Sequence, residues 1–252
     1  GSNFVQVDLP VSVGGENFDA VTVDHVLKVR DGFLVTGQLQ QLVAAQLQVT
    51  HQFIARLNDA GDLLSDFGGV GMVVSERLSS PALVRNIAIE LSDGNILWHW
   101  GYGVLQKLNA SGYIDNGFSN SNFASASDYG YAPDTPAIYV PLDSLRSRWA
   151  GTLQVSASNQ IKLLGCRNAS GTTPGWADCD LTWFMFNADG SIDTSLDATG
   201  AVDLGLNLVT DSIDPISSYT TNAVQFNVNK LPSGEMILSV LSAESNPANG
   251  GA

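Results

Sequence analysis

The chain is poor in charged residues, in basic residues above all, and in long apolar runs. Only 14% of its 252 residues are charged, and 11 Lys and Arg stand against 25 Asp and Glu, for a formal net charge of -14. This excess of negative charge repels phosphate backbones and anionic lipid headgroups. No run approaches the roughly 18 apolar residues of a membrane helix. We therefore expect neither nucleic-acid binding nor membrane insertion.

Histidine and cysteine are also scarce. The three histidines are scattered singly, whereas a structural zinc site needs four Cys or His ligands. The sequence contains none of the motifs H-E-x-x-H, C-x-x-C, G-x-S-x-G and G-x-x-x-x-G-K. The two cysteines, Cys166 and Cys179, flank a turn-rich stretch, and a disulfide across a loop of this length would contribute about 3 kcal/mol. We expect this disulfide, with two free thiols as the alternative.

What the chain has instead is an internal repeat. A decapeptide occurs three times, as NDAGDLLSDF from Asn58, NASGYIDNGF from Asn109 and NADGSIDTSL from Asn187. The copies share Asn at the first position, Gly at the fourth, an aliphatic residue at the sixth and a large apolar residue at the tenth. Asn and Asp side chains hydrogen-bond their own backbone, and Gly supplies a positive φ. The decapeptide therefore predicts a tight turn after a strand, anchored by its sixth and tenth residues.

A second unit precedes each copy and consists of two apolar strands joined by a short turn. Period-two alternation around such a turn is typical of a β-hairpin. The four turns lie at Asp31-Gly32, Asp93-Gly94, Asn159-Gln160 and Ser233-Gly234. Each repeat of roughly 60 to 75 residues then holds about four strands, which is the content of one propeller blade. The sequence predicts an all-β protein, a small β-propeller of about four irregular blades.

The repeat also divides the chain. Residues 1–20 contain an N-terminal strand that we expect to complete the last blade and close the ring, which would leave no bare sheet edge. The alternatives are an excerpt of a longer array and a ring completed by two chains. Residues 39–47 fit either a short helix or an exposed strand, and residues 142–149 suggest a short helix. The remaining boundaries are repeat 1 at 21–84, repeat 2 at 85–150 with an insertion at 119–148, repeat 3 at 151–222 with an insertion at 167–180, a partial repeat 4 at 223–243 and a tail at 244–252.

The strand–DG–strand hairpin followed by RLNDAGDLLSDFG resembles the delta-60 repeat family of bacterial extracellular proteins. The resemblance covers most of residues 20–240, and FNADGSIDTSLD is its other strong passage. Leu64 departs from the pattern, since Asp115 and Asp193 occupy the same place in the other copies. The resemblance implies β-propeller blades and an exported setting, whether secreted, periplasmic or at the cell surface. It implies no particular reaction.

Five aromatic residues are candidates for ligand contact. Trp98 and Trp100 fall on the same face of a predicted strand, where they would form either a sugar-stacking platform or part of the core. Tyr129 and Tyr131 lie in the first insertion and Trp176 in the second. Long loops on a rigid scaffold commonly carry recognition. The alternative is that these aromatics pack over the scaffold.

Two further groups suggest chemistry. Asp189 and Asp193 offer oxygen ligands for calcium, although their spacing falls short of an EF-hand loop, and capping of turns is the alternative. Asp24 and His25 are adjacent, but neighbouring residues on a regular strand point to opposite faces, so they are not expected to act as a catalytic pair.

We expect a non-catalytic extracellular or periplasmic module that binds protein or carbohydrate through its insertion loops on one face of the ring. One alternative is a propeller-type enzyme, a lyase or glycosidase, that uses carboxylates in the central channel. The other is a structural segment of a larger surface protein.

Overall fold

The chain folds as an all-β protein. The computed structural model describes residues 9–75, 77, 86–100, 104–118, 137–139, 152–156, 159–167, 178–209, 225–230 and 236–241. In these ranges it contains strands and one short 3-10 turn at Phe67–Gly69, and no helix among them is long and apolar enough to cross a membrane. The all-β expectation is confirmed.

Three antiparallel four-stranded sheets follow one another along the chain, and in each of them sequential strands are neighbours. The first sheet contains β3 (Ala20–Val29), β4 (Gly32–Val43), β5 (Gln46–Leu57) and β6 (Met72–Val74). The second contains β7 (Ile87–Glu90), β8 (Ile96–Trp100), β9 (Val104–Leu108) and β10 (Ile138–Tyr139). The third contains β11 (Thr152–Val155), β12 (Ile161–Arg167), β13 (Asp178–Phe186) and β14 (Ala201–Val209). Two hairpins complete the described strands, β1 (Ser12–Val13) with β2 (Glu16–Asn17) and β15 (Gln225–Lys230) with β16 (Met236–Leu241).

The predicted hairpin turns join the first and second strands of each sheet. Gly32 and Gly94 adopt positive φ values of 133° and 83°, and Asn159 takes φ 59° at the third turn. In the fourth hairpin Lys230 lies opposite Met236. The four predicted hairpins are therefore confirmed.

The decapeptides form the turns that their sequence predicts. Asn58 Oδ1 accepts hydrogen bonds from the backbone N–H groups of Ala60 and Asp62, both at 2.9 Å. Asn109 Oδ1 does the same for Ser111 and Tyr113, both at 3.0 Å. The sixth residue of each copy then forms an isolated bridge to the end of the preceding strand, in the pairs Leu63 with Leu57, Ile114 with Leu108 and Ile192 with Phe186.

One segment that the sequence left open is a strand. β4 continues to Val43 and β5 begins at Gln46, joined by Ala44 and Ala45 at φ 50° and 64°. The short-helix alternative for residues 39–47 is therefore wrong. The helix suggested for residues 142–149 falls outside the described residues.

The sheets pack face to face, and apolar side chains fill the spaces between them. Leu34 and Ile54 of the first sheet pack in one cluster with Trp98, Trp100 and Val104 of the second. On the opposite face of the second sheet, a further cluster joins it to the third sheet through Leu97, Leu105, Leu163, Phe184 and Phe186. Every residue of β8 is consequently buried.

The described part of the N-terminal region packs against the first sheet. β1 pairs with β2, and Leu9, Val13 and Phe18 join the cluster on the face of the first sheet that is turned away from the second. Residues 1–8, which begin the predicted closing strand, lie outside the described residues. Closure of a ring by this strand stays a prediction.

Hydrogen bonds place corresponding turns of successive sheets side by side. Arg30 Nη2 donates to the carbonyl oxygen of Ser92 at 3.2 Å, and Ser92 Oγ donates to Asn159 Oδ1 at 3.2 Å. The decapeptide turns also meet, since Gly68 N donates to Ser111 O at 2.8 Å. One end of the assembly, here named the turn end, therefore carries both the first-to-second-strand turns and the decapeptides.

The tenth residues of the decapeptides do not all behave alike. Phe67 and Phe118 are each only 1% exposed, which confirms them as anchors. Leu196, at the same position of the third copy, is 70% exposed. Its predicted anchoring role is wrong in this structure.

Candidate functional site

The most unusual exposed polar site lies on β3, the edge strand of the first sheet. The β3–β4 ladder pairs Val23 with Gly37 and then His25 with Thr36, so that Asp24 is an extra residue in a β-bulge. Bulges of this kind re-aim side chains and are common beside functional sites. Asp24 and His25 are both exposed to solvent.

The bulge brings Asp24 and His25 to one face of the sheet. Gln38 Nε2 donates a hydrogen bond to Asp24 Oδ2 at 3.2 Å. Gln38 and Thr36 are two residues apart on β4 and so project from the same face, and His25 lies directly opposite Thr36. The expectation that adjacent residues must point apart is therefore corrected, because it holds for a regular strand and β3 is irregular at this point.

The environment of Asp24 favours its neutral form. The residue as a whole is exposed, but neighbouring sheet atoms partly desolvate its carboxyl and raise the pKa of Asp24 to about 6, although the hydrogen bond from Gln38 lowers it in part. A carboxyl group with such a pKa can be charged or neutral under mildly acidic conditions. Asp24 and His25 offer a carboxyl and an imidazole to solvent on one face, and the buried Gln38 amide holds the carboxyl.

A buried polar residue lies beside this site. Asn86 Nδ2 donates to the carbonyl oxygens of Gly37 at 2.7 Å and Phe53 at 3.0 Å, and Asn86 Oδ1 accepts from Trp98 Nε1 at 2.5 Å. Thr36 Oγ1 donates to the Asn86 carbonyl oxygen at 2.8 Å. Asn86 thus joins the first and second sheets directly beside the strand that pairs with the bulge.

Trp98 and Trp100 belong to the core. They are 0% and 1% exposed, and their ring centroids lie 5.8 Å apart. Trp100 Nε1 donates to Gln106 Oε1 at 2.6 Å. The stacking-platform interpretation is therefore corrected, since the strand that carries both rings lies between two packed sheets.

The other three aromatic candidates, Tyr129, Tyr131 and Trp176, fall outside the described residues. The positions where the chain leaves and re-enters the sheets are nevertheless clear. The first insertion follows Phe118, the last residue of the second decapeptide. It therefore leaves the second sheet at the turn end. The second connects β12 to β13 and therefore leaves from the opposite end. The two insertions thus leave their sheets at opposite ends, and their use in binding stays a prediction.

Asp189 and Asp193 act as caps of turns. Asp189 Oδ1 accepts from Ser191 N at 2.9 Å and from Ser191 Oγ at 2.7 Å, which lowers the pKa of Asp189. Asp193 accepts from Ser195 N at 2.9 Å and from Gln160, and these bonds lower its pKa as well. Within the described ranges no group of three or more His, Cys, Asp or Glu side chains could hold a metal ion.

The two cysteines lie on adjacent strands. Cys166 on β12 lies opposite Leu181 of β13, two residues along that strand from Cys179. Cys179 itself pairs on its other side with Leu208 of β14. The backbone thus brings the cysteines near each other, and the disulfide remains a prediction.

The remaining histidines are interior residues. His51 is buried against the edge of the Phe18 ring, and its Nδ1 lies 3.0 Å from Thr50 Oγ1. Burial lowers the pKa of His51. His99 lies in the fully buried strand β8. Of the three histidines, His25 alone is exposed.

Sequence reasoning missed the bulge, although a signal for it exists. In VTVDHV the valines at 21 and 23 keep period two, and the next one comes at 26. That slip of one residue marks the extra residue in the strand.

Comparison of the chain with family models, with curated proteins and with solved structures finds no match. The site's own geometry therefore carries the functional argument.

Proposed function

We propose that this chain is an exported, non-catalytic binding module built on a small four-bladed β-propeller. We further propose that the bulge on β3 contacts a hydroxyl-rich ligand of the glycan class. The observation that carries the proposal is the exposed pair Asp24 and His25 on one face of the first sheet, with Asp24 held by Gln38 of the neighbouring strand. One set of observations supports the propeller scaffold, and another supports the glycan ligand.

The order of contacts between sheets supports a propeller. β7 contacts β3, β11 contacts β7, and β15 contacts β11. The first strands of four successive units therefore neighbour one another, as the innermost strands of propeller blades do. The first three units each hold a four-stranded meander.

Exposed apolar residues on the first sheet support a fourth blade beside it. Val23 and Val26 are 48% and 56% exposed, and both pair with β4 residues on the face turned away from the second sheet. Ala88 on β7, by contrast, is 2% exposed because the first sheet packs against it. A blade begun by β15 and β16 would cover the valines and close the ring.

The chemistry of the bulge suits hydroxyl groups. A carboxylate accepts hydrogen bonds, and a neutral imidazole both donates and accepts them through its two nitrogens. Such a set can bind neighbouring hydroxyls of a sugar without needing a charged ligand. The long insertions offer additional contacts beyond this site.

A glycan array with the purified chain tests the proposal, followed by calorimetry on each hit. We expect Asp24→Asn and His25→Ala to weaken binding at least tenfold. The matched control is Asp66→Asn, because Asp66 is exposed and makes no capping hydrogen bond at the start of the 3-10 turn. Equal glycan affinities for the wild type and Asp24→Asn would show that the bulge is not the binding site. If the chain bound proteins and no glycan, the ligand would be a protein and the glycan proposal would be wrong.

One observation favours a second candidate, the propeller-type lyase or glycosidase. Asp24 combines a pKa of about 6 with a neighbouring histidine, and general acid–base catalysis uses such groups. A glycosidase also needs a second carboxyl roughly 5–10 Å away, whereas the hydrogen bond to Asp24 comes from the Gln38 amide. Release of product from an oligosaccharide panel, lost in Asp24→Asn, would establish the enzyme in place of the binding module.

A further inference from the structure

The second decapeptide contains a step that the other two copies lack, an asparagine followed by a glycine. Asn116 and Gly117 are the central residues of a turn that the hydrogen bond from Phe118 N to the carbonyl oxygen of Asp115 closes, at 3.1 Å. Both central residues are exposed to solvent. The other copies have Ser-Asp and Thr-Ser at these positions, and no other asparagine in the described ranges precedes a glycine.

The main-chain nitrogen of Gly117 is held by a side chain. It donates to Asp115 Oδ1 at 2.9 Å, and Asp115 Oδ2 in turn pairs with Lys107 Nζ at 3.3 Å. Among the described residues beyond its two chain neighbours, a Cβ built on Gly117 would meet only Asp115 Oδ1, at 3.3 Å. The φ angle of Gly117 lies outside the left-handed region, so the backbone here does not require a glycine.

We propose that Asn116 is a site of spontaneous deamidation and that Asp115 sets its rate. The Gly117 main-chain nitrogen loses its proton to solvent and attacks Asn116 Cγ. A bond forms between these two atoms, the Cγ–Nδ2 bond breaks, and Nδ2 takes up a proton and leaves as ammonia. Water then opens the cyclic imide at either of its two carbonyl groups, which leaves aspartate or isoaspartate at position 116.

The turn favours this reaction in one respect and restrains it in another. An exposed glycine without a Cβ lets its nitrogen reach the neighbouring side chain with little steric cost. The carboxylate of Asp115, in contrast, stabilises the protonated nitrogen through a charge-assisted hydrogen bond. Its negative charge also disfavours the anion that must form on Gly117. We therefore expect slower deamidation in the folded chain than in an unfolded peptide of the same sequence.

The product would alter the anchor that follows it. Phe118 is 1% exposed, and its Cδ2 atom lies 3.0 Å from the place where a Cβ of residue 190 would be. Isoaspartate lengthens the main chain by one carbon atom between Asp115 and Phe118, whose hydrogen bond fixes the span of this turn. Deamidation should therefore loosen the packing of the second decapeptide on the third.

Peptide mapping by mass spectrometry, after incubation of the folded chain in mildly alkaline buffer, tests the site. We expect aspartate and isoaspartate to accumulate at position 116, while Asn58 and Asn109, whose side chains cap turns, stay unchanged. Gly117→Ala should slow the conversion at least about tenfold, because a Cβ narrows the main-chain angles open to residue 117. Equal rates for this variant and the wild type would overturn the proposal. So would an Asn116 that stays wholly intact while a synthetic peptide of residues 111–121 converts completely.

Asp115→Ala tests the restraint. Loss of the hydrogen bond should raise the rate about threefold to tenfold in the folded chain, whereas variant and wild type should convert equally fast in strong urea. The matched control is Asp193→Ala, because Asp193 has the same place in the third copy and accepts from Ser195 N at 2.9 Å. This control should leave the rate at Asn116 unchanged.

A second variant covers the case in which Asp115→Ala loses thermal stability. Asp115→Ser keeps an oxygen acceptor without the charge, and its rate should fall between those of the wild type and Asp115→Ala. A wild-type rate in both folded variants would show that Asp115 has no part in the reaction.

Discussion

Phe67 of the first decapeptide packs against Gly112 of the second, with only 3.0 Å between Phe67 Cδ2 and the place where a Cβ of residue 112 would lie. Gly68 N, next to Phe67, donates to the carbonyl oxygen of Ser111, next to Gly112. Side-chain packing and a backbone hydrogen bond therefore hold the same pair of turns together.

Gly112→Ala should destabilise the fold more than its backbone conformation alone explains. Gly69 offers a matched control, since its φ of 81° nearly equals the 80° of Gly112 while an added Cβ there would meet nothing within 4 Å. We expect a loss of about 1 kcal/mol for Gly69→Ala. Gly112→Ala should cost about 1–3 kcal/mol more. Urea unfolding measures both variants, and equal losses would show that the contact adds nothing.

The tenth positions should differ in their contribution to stability. Phe67→Ala and Phe118→Ala each remove a buried ring and should cost about 3–5 kcal/mol. Leu196→Ala, at an exposed position, should stay within about 0.5 kcal/mol of the wild type in a dilute sample. Thermal unfolding of the three variants side by side checks this order, and a large loss from Leu196→Ala would contradict the exposed placement.

Asn86→Leu should weaken the joint between the first two sheets. The change leaves Trp98 Nε1 and two backbone carbonyl groups without their partner inside the core. Unsatisfied buried groups of this kind cost about 1–3 kcal/mol each, so we expect a loss of at least about 2 kcal/mol. Urea unfolding followed by tryptophan fluorescence measures this loss of stability. An unchanged midpoint would show that these hydrogen bonds contribute little.

The titration of Asp24 should appear in the pH dependence of stability. Folding raises the pKa of Asp24 from 3.8 to about 6, so between these values the folded chain binds a proton more tightly than the unfolded chain does. Wild-type stability relative to Asp24→Asn should therefore be highest below about pH 4, fall as the pH rises to about 6, and stay level above. Melting temperatures across this range test the sign. An NMR titration that gave Asp24 an ordinary pKa would contradict the partial desolvation of its carboxyl.

Local turn chemistry made much of this fold predictable from the sequence. Asn at the first position and Gly at the fourth define each decapeptide turn by backbone rules alone, and the hairpin turns follow from similar residues. Ala44 and Ala45 show where those rules stop, because they form a turn with positive φ although neither residue favours it.

The candidate site could not be predicted in the same way, because local sequence patterns do not encode the features that form it. The spacing of Trp98 and Trp100 puts both rings on one face of a strand, which suits a sugar-binding surface equally well. Only the packing of two sheets around β8 places these rings in the core. The bulge at Asp24 shows in the sequence merely as a slip in the spacing of valines, and the partner Gln38 comes from another strand.

Each decapeptide turn packs against the next one along the chain, so the row of turns has a direction. A tenth-position residue covers only the turn that follows it along the chain, so damage to Phe67 should first expose the amides of the turn around Gly112 to hydrogen exchange. Damage to Phe118 should do the same one repeat later, around Gly190, and leave the first decapeptide protected. Local opening would then travel through the row in one direction, from the first repeat toward the third.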